Sequence, residues 1–443
     1  MSSGKTVCVI GGGIAGLAVS VFLIEMGYKI TLIESSPKLG GRAYSYFDKS
    51  KNQFFDNGQH ILAGWYKNTF EYLKTINSFG LLDFQNNLEV NFIDTQKNKY
   101  TLKCPDLPAP LNLITGLMKF KALNLKDKSG LTKIGKLMKE EINLKDKYEN
   151  VYELLKSIKQ SDNLIKYFWE PFCLAVFNTR INKISVKLFL NVLKEGFNGK
   201  SNSLLVIPRT DLNSLLINGA VEFFEREKAN IILSKRITGI NINDKVESIV
   251  TEDGEVIKSD FYVSAVPFFN FKDLFDDEIY CENKFESDKL KSSGIISVHL
   301  FFKEDIRIEL IPDNSYGMTG LIGTTVQWIF KKGSRHLSLV ISGSDDLNVT
   351  GMDNDEILNI TINDLAKTLI SFDDSKITDY KIIKEKRATF IPDKESDNYR
   401  QSQKTNYDNL FICGDWTDTG LPSTIEGAVK SAKICAGLIQ NVN

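Results

Sequence analysis

A glycine-rich hexapeptide between an apolar strand and an apolar helix is the feature that most constrains how this chain can fold. The segment Gly11–Gly16 reads GGGIAG; it follows the apolar run Val7–Ile10 and precedes apolar residues at helical spacing. In this context it is the GxGxxG fingerprint of a dinucleotide-binding unit, in which Gly11 allows the turn, Gly13 admits a pyrophosphate and Gly16 allows close packing of helix on strand. Free N–H groups at the start of such a helix bind phosphates.

An acidic residue at the end of the next strand completes this unit. Glu34 directly follows the predicted strand Tyr28–Ile33. A carboxylate in this position accepts hydrogen bonds from the ribose hydroxyls of an adenine dinucleotide. Strand, turn, helix and acid together predict a Rossmann-type domain, and they outweigh the alternative of a structural glycine turn beside a solvated glutamate.

Two further segments distinguish a flavin from a nicotinamide cofactor. The segment Leu39–Arg42 (LGGR) brings backbone and a guanidinium group near a phosphate. Near the C-terminus, Cys413–Trp416 (CGDW) follows an apolar strand and leads to a helix that starts near residue 424. Asp415 can accept hydrogen bonds from ribityl hydroxyls, and the positive end of the helix suits the negative charge of a reduced flavin. We therefore expect FAD, bound without a covalent link.

Composition argues against several other classes of protein. The 55 basic and 56 acidic residues give a net charge of -1, which favours no nucleic-acid partner. Six scattered cysteines lack the spacing of metal ligands, so we expect no metal site, and the apolar runs around Cys8 and Cys413 predict that these two are buried. No stretch approaches the roughly 18 apolar residues of a membrane span, and no secretory leader precedes the first strand. These features predict a cytoplasmic protein.

The order of apolar segments predicts two domains, each assembled from separated pieces of chain. Residues 1–95, 203–280 and 395–443 are assigned to an α/β Rossmann-type FAD-binding domain. Residues 96–202 and 281–394 mix helical and antiparallel-type runs, and they are assigned to a discontinuous α+β substrate-binding domain. In the second domain the pattern predicts a helix at 355–370 and strands at 295–302, 324–330, 337–342 and 380–390.

Several motifs, in order along nearly the whole chain, carry a resemblance to a known family. They comprise Gly11–Gly16, Glu34, Gly41-Arg42, Asp56–His60 (DNGQH), Trp169–Ala175 (WEPFCLA), Asn178-Thr179 and Gly414–Ala428. Together they resemble the bacterial hydroxysqualene dehydroxylases, within the FAD-dependent amine oxidase and carotenoid desaturase superfamily. The chain differs from that pattern at Phe172, Arg180 and Ser423, where Leu, Pro and Ala are usual, and these changes affect the expected shape of the pocket.

The resemblance implies a reaction and a set of cofactor contacts. The reaction would be reductive removal of the hydroxyl group of hydroxysqualene by reduced FAD, giving squalene. The implied FAD-binding residues are Gly11, Gly13, Ile14, Ala15, Gly16, Glu34, Gly41, Arg42, Gly58, Gln59, Ile237, Gly414, Asp415, Thr424, Ile425 and Ala428.

Such a reaction needs a proton donor near the flavin, because an allylic alcohol ionises when its oxygen is protonated as it leaves. His60 is the first candidate, since its segment runs beside the flavin in the superfamily and the chain has only two other histidines, His299 and His336. Its alternative role is that of a core histidine held by a hydrogen bond. Glu426 is the second candidate, and its alternative role is to stabilise the start of a helix.

An isoprenoid substrate requires a long apolar cavity rather than a small polar pocket. The candidate lining residues are aromatic, and each could also be ordinary core: Trp65, Trp169, Phe172, Phe177, Trp328 and Phe330. Basic and apolar residues mix within Leu111–Lys139, which suits peripheral contact with an anionic membrane and equally suits a solvated helix face. The expected partners are an isoprenoid lipid and the cytoplasmic face of a membrane, and the oligomeric state stays open.

Three other functions fit the same motifs. A carotenoid or diapophytoene-type desaturase would transfer hydride in the oxidative direction on the same scaffold, and an amine oxidase would act on amines. A prenyl-lipid escort protein on this fold would need no redox-ready flavin, and the complete set of Glu34, Arg42 and Asp415 disfavours it.

Overall fold

The computed structural model describes residues 4–130, 133, 147–306 and 317–442 of the chain. Its strands, numbered in chain order, are β1 Thr6–Ile10, β2 Lys29–Ile33, β3 Ser45–Asp48, β4 Gln53–Asp56, β5 Leu62–Ala63, β6 Leu82–Phe84, β7 Glu89–Asp94, β8 Lys99–Lys103, β9 Leu205–Pro208, β10 Asn230–Ile232, β11 Ile237–Ile242, β12 Val246–Thr251, β13 Val256–Ile257, β14 Phe261–Ser264, β15 Ser292–Phe302, β16 Met318–Ile322, β17 Trp328–Gly333, β18 His336–Ser342, β19 Ile377–Phe390 and β20 Leu410–Ile412.

The α-helices are numbered in the same way. They are α1 Ile14–Glu25, α2 Lys67–Thr75, α3 Leu111–Lys119, α4 Leu125–Ser129, α5 Val151–Ser157, α6 Asp162–Leu164, α7 Glu170–Phe177, α8 Val186–Phe197, α9 Leu212–Leu216, α10 Asn218–Arg226, α11 Phe268–Phe271, α12 Asp277–Glu282, α13 Asn354–Thr368, α14 Ser396–Tyr399 and α15 Ile425–Asn441. A π-helical turn, Ile165–Trp169, joins α6 to α7, and 3₁₀ turns lie at Phe79–Leu81, Ser201–Ser203, Lys272–Leu274, Ser287–Lys289 and Asp374–Lys376.

A parallel sheet with the strand order β10-β2-β1-β14-β20 holds the glycine-rich turn. Strands β1, β14 and β20 are short and almost completely buried, as expected for a sheet covered on both faces. Helices α1 and α15, which come from opposite ends of the chain, pack against each other. Because the carboxyl ends of parallel strands meet at one edge, the segments that follow β1, β2, β14 and β20 come together there.

A large mixed sheet has the order β19-β15-β18-β17-β16-β7-β8, in which β16 and β7 are parallel and the other neighbours antiparallel. One face of β15, formed by Ile296, Val298 and Leu300, belongs to a hydrophobic core that includes Ile357 and Leu365 of α13. Successive side chains of a strand point to opposite faces, so the residues between them point away from that core.

Smaller sheets complete the fold, with the orders β11-β12-β13, β3-β4 and β5-β9-β6. The β3–β4 hairpin lies against the large mixed sheet, where Phe55 packs edge-on to His299 and Lys381 binds Asp48 at 3.2 Å. The chain leaves this hairpin directly into the segment Asn57–His60.

The predicted fold class is confirmed, since the chain combines a Rossmann-like parallel sheet with a second α+β unit. Two predicted boundaries differ from the structure. The first domain was assigned up to residue 95, whereas β7 pairs with β8 and β16 in the large mixed sheet. The strand predicted at 324–330 starts only at Trp328, because the backbone N–H groups of Thr325 and Val326 donate to the Asp364 carboxylate instead of to a neighbouring strand.

Candidate active site

One cavity of about 840 Å³ runs from the carboxyl edge of the parallel sheet to the large mixed sheet. Three segments of the chain meet in its wall: the glycine-rich turn with Glu34, the nearby LGGR segment, and the distant segment that follows β20. Of the sequence-predicted FAD contacts, the structure places these in the wall: Gly11, Gly13, Ile14, Ala15, Glu34, Gly41, Arg42, Gly58, Gln59, Ile237, Gly414, Asp415, Thr424, Ile425 and Ala428. The remaining one, Gly16, lies outside it.

The start of helix α1 is built to receive a phosphate. Its N-cap, Gly13, is extended and makes no side-chain cap bond, so the first N–H groups of the helix have no such partner. A Cβ built on Gly13 would meet only the Cα of Gly41, at 3.9 Å, whereas a Cβ on Gly16 would collide with the carbonyl oxygen of Gly11. Gly16 therefore serves close packing, and the space beside Gly13 fits an approaching pyrophosphate.

Backbone groups hold the carboxylate of Glu34 at the cavity edge. Its Oε2 accepts from the N–H of Gly12 at 2.6 Å, and its Oε1 accepts from the N–H of Ser36 at 2.7 Å. A carboxylate oxygen has room for more than one hydrogen bond, so both oxygens can still accept from ribose hydroxyls.

Asp415 is held from two sides. Arg42 forms an ion pair with its Oδ1, and the hydroxyl of Ser423 donates to its Oδ2. Arg42 also donates to the carbonyl of Ala388 at 2.9 Å, which ties the LGGR segment to β19. The departure from the family pattern at Ser423 thus gives Asp415 a donor that alanine lacks.

The loop that carries Asp415 is organised by a buried guanidinium group. Arg400 donates to the carbonyl of Trp416 at 3.1 Å and to that of Leu421 at 2.8 Å. The indole N–H of Trp416 donates in turn to the carbonyl of Val266, at 3.0 Å, after β14. These bonds fix the backbone between β20 and α15, and so position Asp415 and the start of α15.

His60 lines the cavity with one ring nitrogen already engaged. Its Nδ1 lies 2.9 Å from the carbonyl oxygen of Gly58, so the neutral ring donates Nδ1–H there and keeps Nε2 as an acceptor. Burial lowers the pKa of His60 most strongly; the Gly58 carbonyl and Asp56 raise it, and Lys332 lowers it. The ring is therefore neutral at pH 7 and becomes an acid only when it takes up a proton on Nε2.

Three strands of the large mixed sheet, β16, β17 and β18, supply an apolar wall to the cavity, whereas β19 of the same sheet contributes Glu385 and Thr389. Trp328 pairs with Val340, and Met318 pairs with Phe330, so side chains from neighbouring strands form a continuous surface. Within the described residues, β16, β17 and β18 contribute only uncharged side chains to the wall: Met318, Trp328, Phe330, Val340 and Ser342. This part of the cavity suits a hydrocarbon chain better than a cationic substrate.

Comparison with known proteins agrees with this geometry. Residues 14–440 match the family described as flavin containing amine oxidoreductase. Hydroxysqualene dehydroxylase of Zymomonas mobilis subsp. mobilis is 27% identical over 435 residues, 97% of this chain and 98% of that protein. The 15-cis-phytoene desaturase of Glycine max is 24% identical, over 98% of this chain and 79% of that protein. The structure of cyclohexylamine oxidase from Brevibacterium oxydans has a TM-score of 0.73 at 12% identity, over 99% of both chains.

The chain belongs to the flavin-containing amine oxidoreductase family. It is an FAD-dependent oxidoreductase, and the prediction of FAD is confirmed. No helix among the described residues is long and apolar enough to cross a membrane, and the described residues include no cluster of potential metal ligands. Cys8 and Cys413 are buried, as predicted.

The second acid candidate of this flavin oxidoreductase, Glu426, lies outside the cavity wall. Its Oε1 accepts from the backbone and side chain of Asn68, and its Oε2 accepts from the backbone and side chain of Thr69, at 2.7 to 3.1 Å. Burial raises the pKa of Glu426, and these bonds to the start of α2 lower it. Its role is to join α15 to α2, so it is not carried forward as a proton donor.

The predicted aromatic lining divides into two groups. Trp65, Trp328 and Phe330 line the cavity, whereas Trp169, Phe172 and Phe177 do not. Trp169 is fully buried and packs against Phe189 at 5.5 Å, so the WEPFCLA segment contributes core rather than channel with its large side chains. The segment still reaches the cavity through its smaller residues Leu174 and Ala175.

Several residues in the wall of this oxidoreductase were missed by sequence reasoning. They include Tyr66, Leu174, Val176, Asn178, Leu205, Ile295, Met318, Val340, Ser342 and Thr389. Asn178 has a left-handed backbone (φ 50°); its side chain accepts from Gly343 N–H at 2.7 Å and donates to Thr389 at 3.1 Å. The alternation of residues along β15 and β18 is a signal that could have found Ile295, Val340 and Ser342.

Proposed function

We propose that this flavin oxidoreductase removes the hydroxyl group of hydroxysqualene reductively and forms squalene. The observation that carries the proposal is a single cavity that joins the FAD-binding segments to an apolar sheet wall and includes the His60 ring. Similarity to hydroxysqualene dehydroxylase over nearly the whole chain supports the same substrate class.

In this proposal Gly13, Glu34, Arg42 and Asp415 would hold FAD, whose reduced form would supply the hydride. His60 holds a proton on Nε2 and gives it to the hydroxyl oxygen as the C–O bond breaks, so the oxygen leaves as water. The aromatic faces of Trp328 and Phe330 stabilise the allylic cation left behind. The apolar wall keeps water from this cation.

The direct test is product analysis with anaerobically reduced enzyme and hydroxysqualene. We expect squalene in amounts equal to the flavin oxidised. The opposite result would be no squalene together with activity on phytoene and an electron acceptor, which would assign the oxidative desaturase function that similarity to 15-cis-phytoene desaturase supports. Hydrogen peroxide release with polyamines would assign an amine oxidase. A colourless preparation that binds prenyl lipid but no flavin would restore the escort function.

His60 can be tested with two variants. In His60→Asn the amide can still donate to the Gly58 carbonyl but cannot carry the proton, whereas His60→Ala removes both functions. We expect both to lose turnover by about 100-fold or more, the usual contribution of a general acid, with flavin content unchanged. Because burial lowers the pKa of His60 and its protonated form is the acid, turnover of the wild type should keep rising as the pH falls through the range below the ordinary histidine pKa. Unchanged turnover in His60→Asn would remove His60 from the mechanism.

We also propose that an apolar and basic surface brings the enzyme to an anionic membrane. Leu111, Met118 and Leu125 are 55%, 47% and 84% exposed, and they lie among exposed lysines that include Lys119 and Lys126. Apolar side chains beside positive charge favour anionic lipid surfaces. The rest of the predicted segment, 131–132 and 134–139, lies outside the described residues.

Sedimentation with vesicles tests this surface. We expect the protein to sediment with phosphatidylglycerol vesicles and not with phosphatidylcholine vesicles, and the triple variant Leu111→Glu, Met118→Glu, Leu125→Glu to stay in solution. The control is Val256→Glu, whose position is 54% exposed on another part of the molecule. Equal sedimentation of wild type and triple variant would contradict the proposal.

A further inference from the structure

One glycine of the large mixed sheet lies beneath two aromatic rings at the border of the cavity. Gly320 of β16 pairs with Phe92 of β7 on one side and with Trp328 of β17 on the other. Directly paired residues of neighbouring strands point to the same face, so both rings stand on the face that carries Gly320. Met318, two residues earlier on the same face, lines the cavity, as does Trp328, whereas Gly320 and Phe92 do not.

The two rings occupy the space that a side chain at position 320 would need. A Cβ built on Gly320 would lie 2.6 Å from Cδ1 and 2.8 Å from Cε1 of Phe92, and 3.1 Å from Cζ3 of Trp328. Carbon atoms that are not bonded make their best contact at about 3.5–4.0 Å, so even one methyl group would overlap the Phe92 ring. Glycine at this position lets both rings lie side by side over the strand, with centroids 6.1 Å apart.

Phe92 has no room to move away from such a methyl group. Its ring packs against Phe120 at the end of α3, with centroids 5.9 Å apart, and Phe120 is itself fully buried. Tyr100 of β8 pairs with Phe92 on the side away from Gly320, and it also packs against Phe120, at 6.2 Å. Because Phe92 is enclosed in this way, a larger residue at position 320 displaces the other ring of the pair, Trp328.

Trp328 borders open space, and only packing fixes its position. Within the described residues its indole nitrogen Nε1 has no hydrogen-bond partner, so no such bond holds the ring against a push from the strand below. The open space that this side chain borders is the cavity. A displaced indole therefore moves into the cavity and reduces the space between the apolar strands and the cofactor wall.

We propose that Gly320 is a positioning residue that sets the length of isoprenoid chain the cavity accepts, an inference that rests on the isoprenoid substrate proposed above. By leaving room for Phe92 and Trp328 side by side, Gly320 keeps the indole out of the cavity. A long chain needs that space, whereas a shorter chain fits into the space that remains when the indole moves inward.

The first test compares squalene with farnesene, a hydrocarbon that has half as many isoprene units. Titration of the oxidised holoenzyme with each lipid, followed by flavin absorbance, gives the two dissociation constants. We expect Gly320→Ala to bind squalene about 10-fold more weakly, which corresponds to about 1.4 kcal/mol, and to bind farnesene with unchanged affinity. In turnover, KM for the long substrate should rise by a larger factor than kcat falls.

The matched control is Gly333→Ala. It adds the same methyl group to β17 of the same sheet, at a position where a Cβ would meet no atom within 4 Å. We expect this variant to bind squalene and farnesene as the wild type does. The same loss of squalene affinity in Gly333→Ala would overturn the inference, because the effect would then not depend on the rings above Gly320.

A second-site change separates positioning from a general loss of packing. Phe92→Val removes Cδ1 and Cε1, the two atoms that the methyl group meets most closely, and leaves only the 3.1 Å contact with Trp328, which a small shift relieves. We expect the double variant Gly320→Ala, Phe92→Val to bind squalene nearly as tightly as Phe92→Val alone. Failure to recover, or an equal loss of affinity for both lipids in Gly320→Ala, would overturn the inference.

The position of Trp328 can also be measured without any lipid. The chain has four tryptophans, so fluorotryptophan labelling gives four ¹⁹F signals, and Trp328→Phe identifies one of them. We expect Gly320→Ala to shift the signal of Trp328 and to leave that of Trp416, which packs against Phe271, in place. An unmoved Trp328 signal would overturn the inference.

The two proposals fail in different ways. If the wild type binds neither squalene nor farnesene, the proposed isoprenoid substrate is wrong, and the inference about Gly320 falls with it. If the wild type binds both lipids and Gly320→Ala keeps the same ratio of the two dissociation constants, the isoprenoid substrate stands and the role given to Gly320 is wrong.

Discussion

The two walls of the cavity are built by different means. The cofactor wall uses backbone N–H groups, glycines and the charged side chains of Glu34, Arg42 and Asp415, all at the carboxyl edge of a parallel sheet. The substrate wall uses uncharged side chains at alternate positions of antiparallel strands, such as Trp328 and Val340. Contacts that the backbone makes to a cofactor change little when the sequence changes, whereas a side chain on a strand can be replaced by one mutation without altering its neighbours. The cofactor can therefore stay constant while the substrate changes, which is how one fold serves many reactions.

The largest expected effect separates two glycines of the glycine-rich turn, of which only Gly13 lies in the cavity wall. In Gly13→Ala the new methyl group meets little protein but occupies the space left for a phosphate, so we expect a folded protein that has lost nearly all of its FAD. In Gly16→Ala the methyl group collides with the Gly11 carbonyl, so we expect a loss of about 1–3 kcal/mol in unfolding free energy. The flavin-to-protein ratio measures the loss of FAD, and thermal melting measures the loss of stability. Normal flavin content in Gly13→Ala would show that the space beside Gly13 is not needed for FAD binding.

The next effect concerns the carboxylate that the backbone holds. Glu34→Gln places an amide where both oxygens accept from N–H groups, and it removes the charge that ribose hydroxyls bind. We expect FAD to bind about 10- to 100-fold more weakly, because hydrogen bonds to charged groups contribute roughly 1.5–3 kcal/mol. Fluorescence titration of the apoprotein with FAD measures this. Glu252→Gln, which also lies in the wall, is the control and should bind FAD almost normally.

A change in the substrate wall should leave the cofactor untouched. Val340→Asn puts an amide into the apolar surface beside Trp328, and we expect KM for the isoprenoid to rise about 10-fold, since burying an unpaired polar group costs roughly 1–3 kcal/mol. Flavin content and the FAD dissociation constant should stay at wild-type values. If KM for the isoprenoid and the dissociation constant of FAD change together, the two walls are not independent.

The smallest effect is expected at Ser423, one of the three positions where this chain departs from the family pattern. Ser423→Ala removes one donor to Asp415 and leaves the ion pair with Arg42 in place. A single hydrogen bond contributes about 1 kcal/mol, so FAD should bind about fivefold more weakly. The same titration measures it, and a loss as large as that of Glu34→Gln would show that Ser423, rather than Arg42, holds Asp415.

The same contrast explains what could be predicted from sequence. The glycine-rich turn, Glu34 and Arg42 lie within a short stretch, so their type and spacing predict the Rossmann-type unit and its cofactor. The substrate wall depends on long-range pairing, such as that of Ile295 with Ser342. Alternation along each strand indicates which residues share a face, but it does not indicate which strand lies beside it. The position of Glu426 outside the cavity wall could not be predicted for the same reason, because its partners Asn68 and Thr69 are distant in sequence.

The packing of α1 against α15 has a consequence for how the protein is made. During synthesis β1 and α1 leave the ribosome well before β20 and α15. The proposed flavin site therefore stays incomplete until the segment after β20 has been synthesised, because a shorter chain lacks Asp415. Since a bound ligand stabilises the folded state, flavin binding would favour molecules that include α15 over shorter ones.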